Sequence, residues 1–137
     1  RNLNSAFLVT KYALPYIRLS KEGRIVMIAS TTGPLMAMKN EVAYASAKAG
    51  MIGLTKSLAL DEAQHSITVN AVSPGWIATD SQTEDEKKQG KKTPIGRSAS
   101  AKEIAALVAW LSTSEASYIT GQNIVIDGGN SIAEERN

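Results

Sequence analysis

The sequence contains no cysteine, which excludes disulfide bonds, thiolate nucleophiles and cysteine-ligated zinc. A protein held together without disulfides is compatible with a reducing compartment, so we expect a cytoplasmic location. Histidine occurs once, as His65, near the end of a predicted helix and with no second ligand residue nearby. We therefore expect no metal site.

Long apolar runs and a strong net charge are also lacking. No run approaches the ~18 apolar residues of a membrane span, and the N-terminus lacks a signal-peptide pattern, so we expect no membrane partner. The net charge of +2 is too small to indicate nucleic-acid binding. The lysines between 87 and 92 directly follow three acidic residues, a pattern typical of a solvated surface. Binding of a nucleic acid or another partner through these lysines remains the least favoured alternative.

The chain has 137 residues, of which 43% are hydrophobic and 20% are charged. This length and composition fit one soluble globular domain at most. Periodicity and turn signals predict three main helices, over residues 3–20, 41–64 and 100–111, alternating with three strands, over 25–29, 67–72 and 123–127. This order predicts an α/β fold with a doubly wound parallel sheet and helices on both faces. Trp110 lies on an apolar helix, and we expect it in the core.

The first predicted helix has two apolar stripes, with Leu3, Phe7 and Ile17 on one and Tyr12 and Tyr16 on the other. A helix that is apolar on two sides is buried on two sides. We expect one side to cover the sheet and the other to face a partner subunit.

Three strands are too few for a complete sheet of this kind. The strand over 25–29 is apolar without alternation, as expected of a strand covered on both faces, and it needs a further neighbour. The chain also begins inside a predicted helix without an initiator methionine. We therefore expect residues 1–137 to be the C-terminal part of a single domain whose N-terminal half is absent from this sequence.

Tyr44 and Lys48 are four residues apart on a predicted helix, so their side chains share one face. The ammonium of Lys48 can then lie close to the phenol oxygen and favour its ionised form, which suits proton exchange. Ser30 closes the first apolar strand and would supply a hydroxyl to the same crevice. Together these residues suit the interconversion of a carbonyl and an alcohol.

The predicted strand over 67–72 is followed by an irregular segment from Ser73 to Thr79. Pro74 fixes the backbone there, and Gly75 permits close approach of a ligand. The carboxyl ends of strands in α/β sheets are common ligand sites.

These motifs, in this order, resemble the C-terminal half of a short-chain dehydrogenase/reductase (SDR), particularly the bacterial 3-oxoacyl-carrier-protein reductases and their relatives. The resemblance covers residues 1 to about 130. It is carried by Ser30 and by five segments: NLNSAF (2–7), YASAKAG (44–50), NAVSPG (70–75), YITG (118–121) and DGG (127–129).

The resemblance implies an NAD(P)-dependent oxidoreductase acting on a small-molecule carbonyl or alcohol. In that family pattern Tyr44 is the general acid/base and Ser30 orients the carbonyl. Lys48 steadies the tyrosinate and holds the nicotinamide ribose. Asn2, rather than Asn4, completes the tetrad by holding a water.

The cofactor-binding residues implied by the resemblance are Tyr44, Lys48, Pro74, Gly75, Ile77 and Thr79. The family's glycine-rich phosphate turn does not occur in this sequence, so a preference between NAD and NADP cannot be read from it. Activity is expected only with the missing N-terminal half. A homodimer or homotetramer is expected, and a non-catalytic SDR-like subunit or binding scaffold is the alternative.

Overall fold

The structure of the chain, a computed structural model, describes residues 2–135. Within this range the chain forms four α-helices and five β-strands. The helices are α1 (Asn2–Ile17), α2 (Val42–Glu62), α3 (Glu84–Lys91) and α4 (Ala101–Leu111). The strands are β1 (Arg24–Ile28), β2 (Thr68–Pro74), β3 (Ile77–Ala78), β4 (Ala99–Ser100) and β5 (Asn123–Ile126).

The main sheet is parallel and has the order β1-β2-β5. The register pairs Ile28 with Val72 and Pro74 with Ile126, so all three strands end at the same edge. The predicted α/β fold with a parallel sheet is therefore confirmed.

Helices cover both faces of the central strand β2, whose side chains alternate between the faces. Val69 and Ala71 lie in apolar clusters with residues of α1 and α2. Val72, on the opposite face, packs with Leu111 of α4. All three β2 residues are fully buried, so the hydrophobic core consists of two layers separated by this strand.

The outer edge of β1 has no strand beside it in the part of the chain that the structure describes. Ile28, the last residue of β1, is 45% exposed. The expectation that this apolar strand is covered on both faces is therefore wrong for Ile28 within residues 2–135. Ile28 is the last residue of β1, and β2 is the only strand that pairs with it among the described residues.

Three short elements were not predicted. Helix α3 contains the acidic residues and lysines for which only a solvated surface was expected, and it begins with a capping box in which Thr83 and Glu86 bond each other's backbone N–H. It has no apolar stripe, which is why periodicity missed it. Strands β3 and β4 pair in parallel over only two residues each, too short a run to be recognised from sequence.

The expected burial of Trp110 is wrong, since its side chain is 45% exposed. The residues of α4 that pack inward are Ile104, Leu107, Val108 and Leu111, at helical spacing, and Trp110 falls beside this stripe. Phe7 of α1 is similarly 51% exposed. Leu3 and Ile17, from the same predicted stripe, are partly buried.

Among residues 2–135, no helix combines the length and apolarity that a bilayer crossing requires. The same part of the chain contains no group of three or more histidine, aspartate or glutamate side chains arranged to hold a metal ion.

Candidate active site

The carboxyl edge of the sheet carries an open cleft with a volume of about 1000 Å³. Segments that follow three different strands meet there, because parallel strands all end at this edge. Ser30 follows β1, Gly75 follows β2 and Asn130 follows β5. The other lining residues include Thr31, Met36, Met38, Tyr44, Trp76, Ile77, Thr79, Gln82 and Gln89.

Lys48 and Tyr44 lie on the same face of α2. The Lys48 ammonium is 5.5 Å from the centre of the Tyr44 ring. It donates a 2.7 Å hydrogen bond to the carbonyl oxygen of Ile28, at the end of β1. Lys48 is only 9% exposed, and burial lowers the pKa of its ammonium. A positive charge is thus held between the sheet edge and the tyrosine that lines the cleft.

Ser30 is buried at the cleft, and its Oγ accepts a 3.1 Å hydrogen bond from the backbone N–H of Thr32. The loop after Ser30 folds back on itself, since Met36 donates its N–H to the carbonyl of Thr31. Gly33 has φ +106°, and a Cβ there would lie 2.2 Å from the carbonyl oxygen of Ala45 in α2. Only glycine fits this approach, which sets the spacing between the Ser30 loop and the helix of Tyr44.

The segment after β2 is joined to the Ser30 loop, because the carbonyl of Pro74 accepts a hydrogen bond from Thr31 N–H at 3.1 Å. Gly75 packs against the turn after β5, where its Cβ would lie 2.8 Å from Asp127 Cβ. Further along, Ile77 and Thr79 line the cleft, and Thr79 Oγ1 is 3.1 Å from Ser81 Oγ.

The structure therefore brings most of the predicted site residues together. Ser30, Tyr44, Gly75, Ile77 and Thr79 line one cleft, and Lys48 lies next to Tyr44.

Pro74 and Asn2 stand apart from the lining residues, within the described part of the chain. Asn2 is exposed at the start of α1, where its carbonyl accepts a hydrogen bond from Ser5 Oγ. Leu3 lies against Gly50, about half a helical turn beyond Lys48. The individual roles of all these residues remain predictions.

Sequence reasoning missed several residues of the cleft, including Met36 and Asn130. The signal for Asn130 was present in the Asp-Gly-Gly that follows the last strand. Asp127 closes this turn, since its two carboxylate oxygens accept hydrogen bonds from the N–H groups of Gly129 and Ser131. The turn fixes the residue between them, Asn130, at the edge where the site lies.

Comparison with known proteins gives consistent results. A family model described as enoyl-(acyl carrier protein) reductase matches residues 1–131. Oxidoreductase UcpA of Escherichia coli K12 is 41% identical, over 97% of this chain and 55% of that protein. The 3-oxoacyl-(acyl-carrier-protein) reductase FabG of Salmonella typhimurium is 42% identical, over 93% of this chain and 54% of that protein.

Solved structures agree with the sequence matches. Acetoin dehydrogenase YohF from Salmonella typhimurium superposes with a TM-score of 0.86 at 40% identity, over 97% of this chain and 53% of that one. Acetoin dehydrogenase from Enterobacter cloacae gives a TM-score of 0.86 at 42% identity, with the same coverages of 97% and 53%. The chain thus spans about half the length of the relatives it matches.

The parallel sheet with a cleft at its carboxyl edge is the architecture of α/β oxidoreductases of the Rossmann type. Within that class, the chain belongs to the short-chain dehydrogenase/reductase family and corresponds to its C-terminal half.

Proposed function

We propose that this chain is part of an NAD(P)-dependent oxidoreductase that interconverts a carbonyl compound and a secondary alcohol. The observation that carries the proposal is the placement of a buried lysine ammonium beside a tyrosine that lines the same cleft as a serine hydroxyl. This arrangement suits proton transfer to an oxygen atom held in the cleft.

In the reductive direction, Tyr44 donates its phenolic proton to the carbonyl oxygen of the substrate. Ser30 Oγ donates a hydrogen bond to the same oxygen and fixes the carbonyl carbon in position. The positive charge of Lys48 stabilises the negative charge that develops on the tyrosine oxygen as the proton leaves. In the oxidative direction, Tyr44 accepts the alcohol proton.

Members of this family generally use NAD or NADP. When bound, the nicotinamide supplies or accepts the hydride. The residues here fit the nicotinamide-ribose end of such a cofactor, since Lys48 carries a desolvated ammonium and Thr79 a hydroxyl group at the cleft. Tyr44, Pro74, Gly75 and Ile77 complete the proposed cofactor set.

We further propose that residues 1–137 form the C-terminal part of a single domain and work together with an N-terminal half. The coverage of relatives, 53% to 55% of their length, supports this arrangement. So does the unpaired outer edge of β1 in the described residues, where a further parallel strand would continue the sheet. The glycine-rich phosphate turn would come from that half.

A small or polar carbonyl compound is the proposed substrate. Between residues 79 and 95, the loop and helix beside the cleft are polar, and Gln82, Glu86 and Gln89 line the cleft there. Two similar structures are acetoin dehydrogenases, whose named substrate is a small hydroxyketone. A long apolar substrate would require an apolar lining on this side.

We propose a homodimer or homotetramer as the working assembly. Helices α1 and α2 pack on each other, and both leave apolar side chains on the outside. The exposed side chains are Phe7, Leu8, Val9, Tyr12 and Tyr16 on α1 and Val42 and Leu60 on α2. Exposed apolar side chains on two neighbouring helices are typical of subunit interfaces.

The test replaces Tyr44 with phenylalanine in the full-length protein, with both NADH and NADPH offered to a panel of small ketones and aldehydes. Loss of the phenol oxygen should lower kcat by about 10²- to 10⁴-fold, because it removes the proton donor. Unchanged circular dichroism would show that the fold is intact. Substitution of the fully exposed Tyr118 by phenylalanine is the matched control and should leave turnover unchanged. Retained turnover in Tyr44→Phe contradicts the proposal, and cofactor binding without turnover in the wild type would favour the non-catalytic alternative.

A further inference from the structure

We infer that Asn130 determines substrate specificity: its side-chain amide binds a second oxygen atom of the substrate, so that ketones carrying an additional hydroxyl or carbonyl group are preferred. This inference rests on the proposed function, because it concerns the substrate held in the same cleft. No residue role given above includes Asn130.

The position of Asn130 is fixed by the turn that follows β5. The Asp127 carboxylate accepts hydrogen bonds from the N–H groups of the residues before and after Asn130, Gly129 at 3.0 Å and Ser131 at 2.7 Å. The N–H of Asn130 itself donates to the Asp127 carbonyl at 3.2 Å. Gly128 and Gly129 both have positive φ, which allows the tight path. The backbone of Asn130 is therefore held in place before any substrate arrives.

The side chain of Asn130 is only 5% exposed and lines the cleft. Its Nδ2 contacts the sulfur of Met36 at 3.6 Å, and a thioether is a weak acceptor. Among residues 2–135, no group donates a hydrogen bond to its Oδ1. Every fully buried side-chain N or O atom of the described residues has a partner, so Oδ1 is not fully buried, and it belongs to a residue that lines the cleft.

Through Met36, the amide contacts the loop that follows Ser30. Met36 donates its N–H to Thr31, the residue directly after Ser30, at 3.0 Å. Asn130, Met36 and Ser30 all line the cleft. In the proposed binding mode, the carbonyl oxygen of a small ketone bonds Ser30 and its second oxygen bonds the Asn130 amide.

A side chain of this kind produces selectivity because an apolar substrate would cover the amide without bonding it. Leaving a buried polar group unpaired costs ~1–3 kcal/mol, whereas a substrate oxygen satisfies it. A site that hydrogen-bonds a polar group of its substrate strongly rejects analogues that lack this group. An apolar pocket discriminates less strongly against a substrate that carries an additional group. Asn130 should therefore raise kcat/KM for oxygenated ketones and lower it for simple ones.

The test compares matched substrate pairs in the full-length enzyme: hydroxyacetone with acetone, and acetoin with butanone. Asn130→Leu has a similar volume and no hydrogen-bonding groups, and Asn130→Ala provides a second variant with more room. We expect both variants to lose about 10-fold in kcat/KM for the oxygenated member of each pair. Activity towards acetone and butanone should be unchanged or higher. Ser131→Ala, beside it on the same turn, is the control and should leave the ratios unchanged.

The outcomes separate the two proposals. If the wild type reduces the ketones but the Asn130 variants change both members of each pair equally, or change neither, the inference about Asn130 is overturned and the proposed function stands. If the wild type reduces no carbonyl compound, both fail. Melting temperatures show whether an equal loss of activity towards both substrates comes from misfolding of a variant. If Asn130→Leu is misfolded, the ratio of kcat/KM for the oxygenated and the simple ketone in Asn130→Ala decides between the outcomes.

Discussion

The Lys48 ammonium is held 5.5 Å from the centre of the Tyr44 ring by a 2.7 Å hydrogen bond to the last residue of β1. The helix that carries both residues is thereby tied to the strand that leads into Ser30. The sheet edge consequently positions the proposed proton donor and the proposed carbonyl-binding hydroxyl together, and neither depends on a flexible loop alone.

The burial of Lys48 predicts a pH-dependent stability. Burial lowers the pKa of its ammonium in the folded state below the ordinary value of 10.5. Between these two pKa values the unfolded chain binds more protons, so the Lys48 contribution to stability rises with pH in that window. The melting temperature of the wild type relative to Lys48→Met should therefore increase as the pH approaches 10.5 from neutrality. A difference that stays constant or falls would contradict the buried placement of this ammonium.

Glycines 33 and 53 form a matched pair for testing the packing beside Tyr44. Gly33→Ala should destabilise the protein by ~1–3 kcal/mol, because the residue has φ +106° and its Cβ would meet a backbone carbonyl of α2. Gly53→Ala, at an open position in α2 with no atom within 4 Å, should stabilise the protein by ~0.5–1 kcal/mol. Chemical denaturation measures both.

The two variants should also differ in activity. Gly33→Ala displaces the loop between Ser30 and α2, so it should lower kcat/KM beyond any loss explained by unfolding. Gly53→Ala should leave kcat/KM unchanged. Equal stability of the two variants would contradict the close approach between Gly33 and the backbone of α2.

The start of α4 provides a prediction for acid pH. Two hydrogen bonds from Arg97, at 2.7 and 2.8 Å, together with bonds from the Ser100 backbone and hydroxyl, lower the pKa of Glu103 to about 2. A lowered carboxyl pKa contributes stability above its ordinary value of 4.5, and that contribution is lost as the pH falls from 4.5 towards 2. A carboxyl-detected NMR titration should give a midpoint near 2, and Arg97→Met should return it towards 4.5.

Arg18 and Glu62 provide a prediction for the contact between α1 and α2. The Arg18 guanidinium donates two hydrogen bonds to the buried Glu62 carboxylate, which lowers the pKa of that carboxyl. Arg18→Met leaves the carboxylate buried and without its cationic partner, so the melting temperature should fall. Arg18→Met combined with Glu62→Leu should recover much of the loss. A double variant less stable than Arg18→Met alone would contradict the cost of leaving the Glu62 carboxylate buried without its partner.

The order of helices and strands could be predicted from the sequence because each long element has a strong signal. The predicted bounds of β1, β2 and α4 agree with the observed ones to within two residues. Helix α3 gave no such signal, since its eight residues are polar throughout. Trp110 was misplaced because helical periodicity does not say which of two neighbouring stripes faces the sheet.

The site could be predicted only where the chemistry is local in sequence. Tyr44 and Lys48 are one helical turn apart, and Ser30 ends a strand, so their proximity follows from secondary structure alone. Asn130 and Met36 are far apart in the chain, and their contact depends on how the turn after β5 packs against the Ser30 loop. Tertiary contacts of this kind leave no pattern in a single sequence.

The close packing of Gly75 on Asp127 limits how the cleft can be re-engineered. Any side chain at position 75 would press on the turn backbone, since a Cβ there would lie 3.0 Å from Asp127 Cα. Mutant libraries aimed at a new substrate range should therefore keep Gly75 fixed and vary Met36, Met38 and Gln82, which line the cleft from its loops.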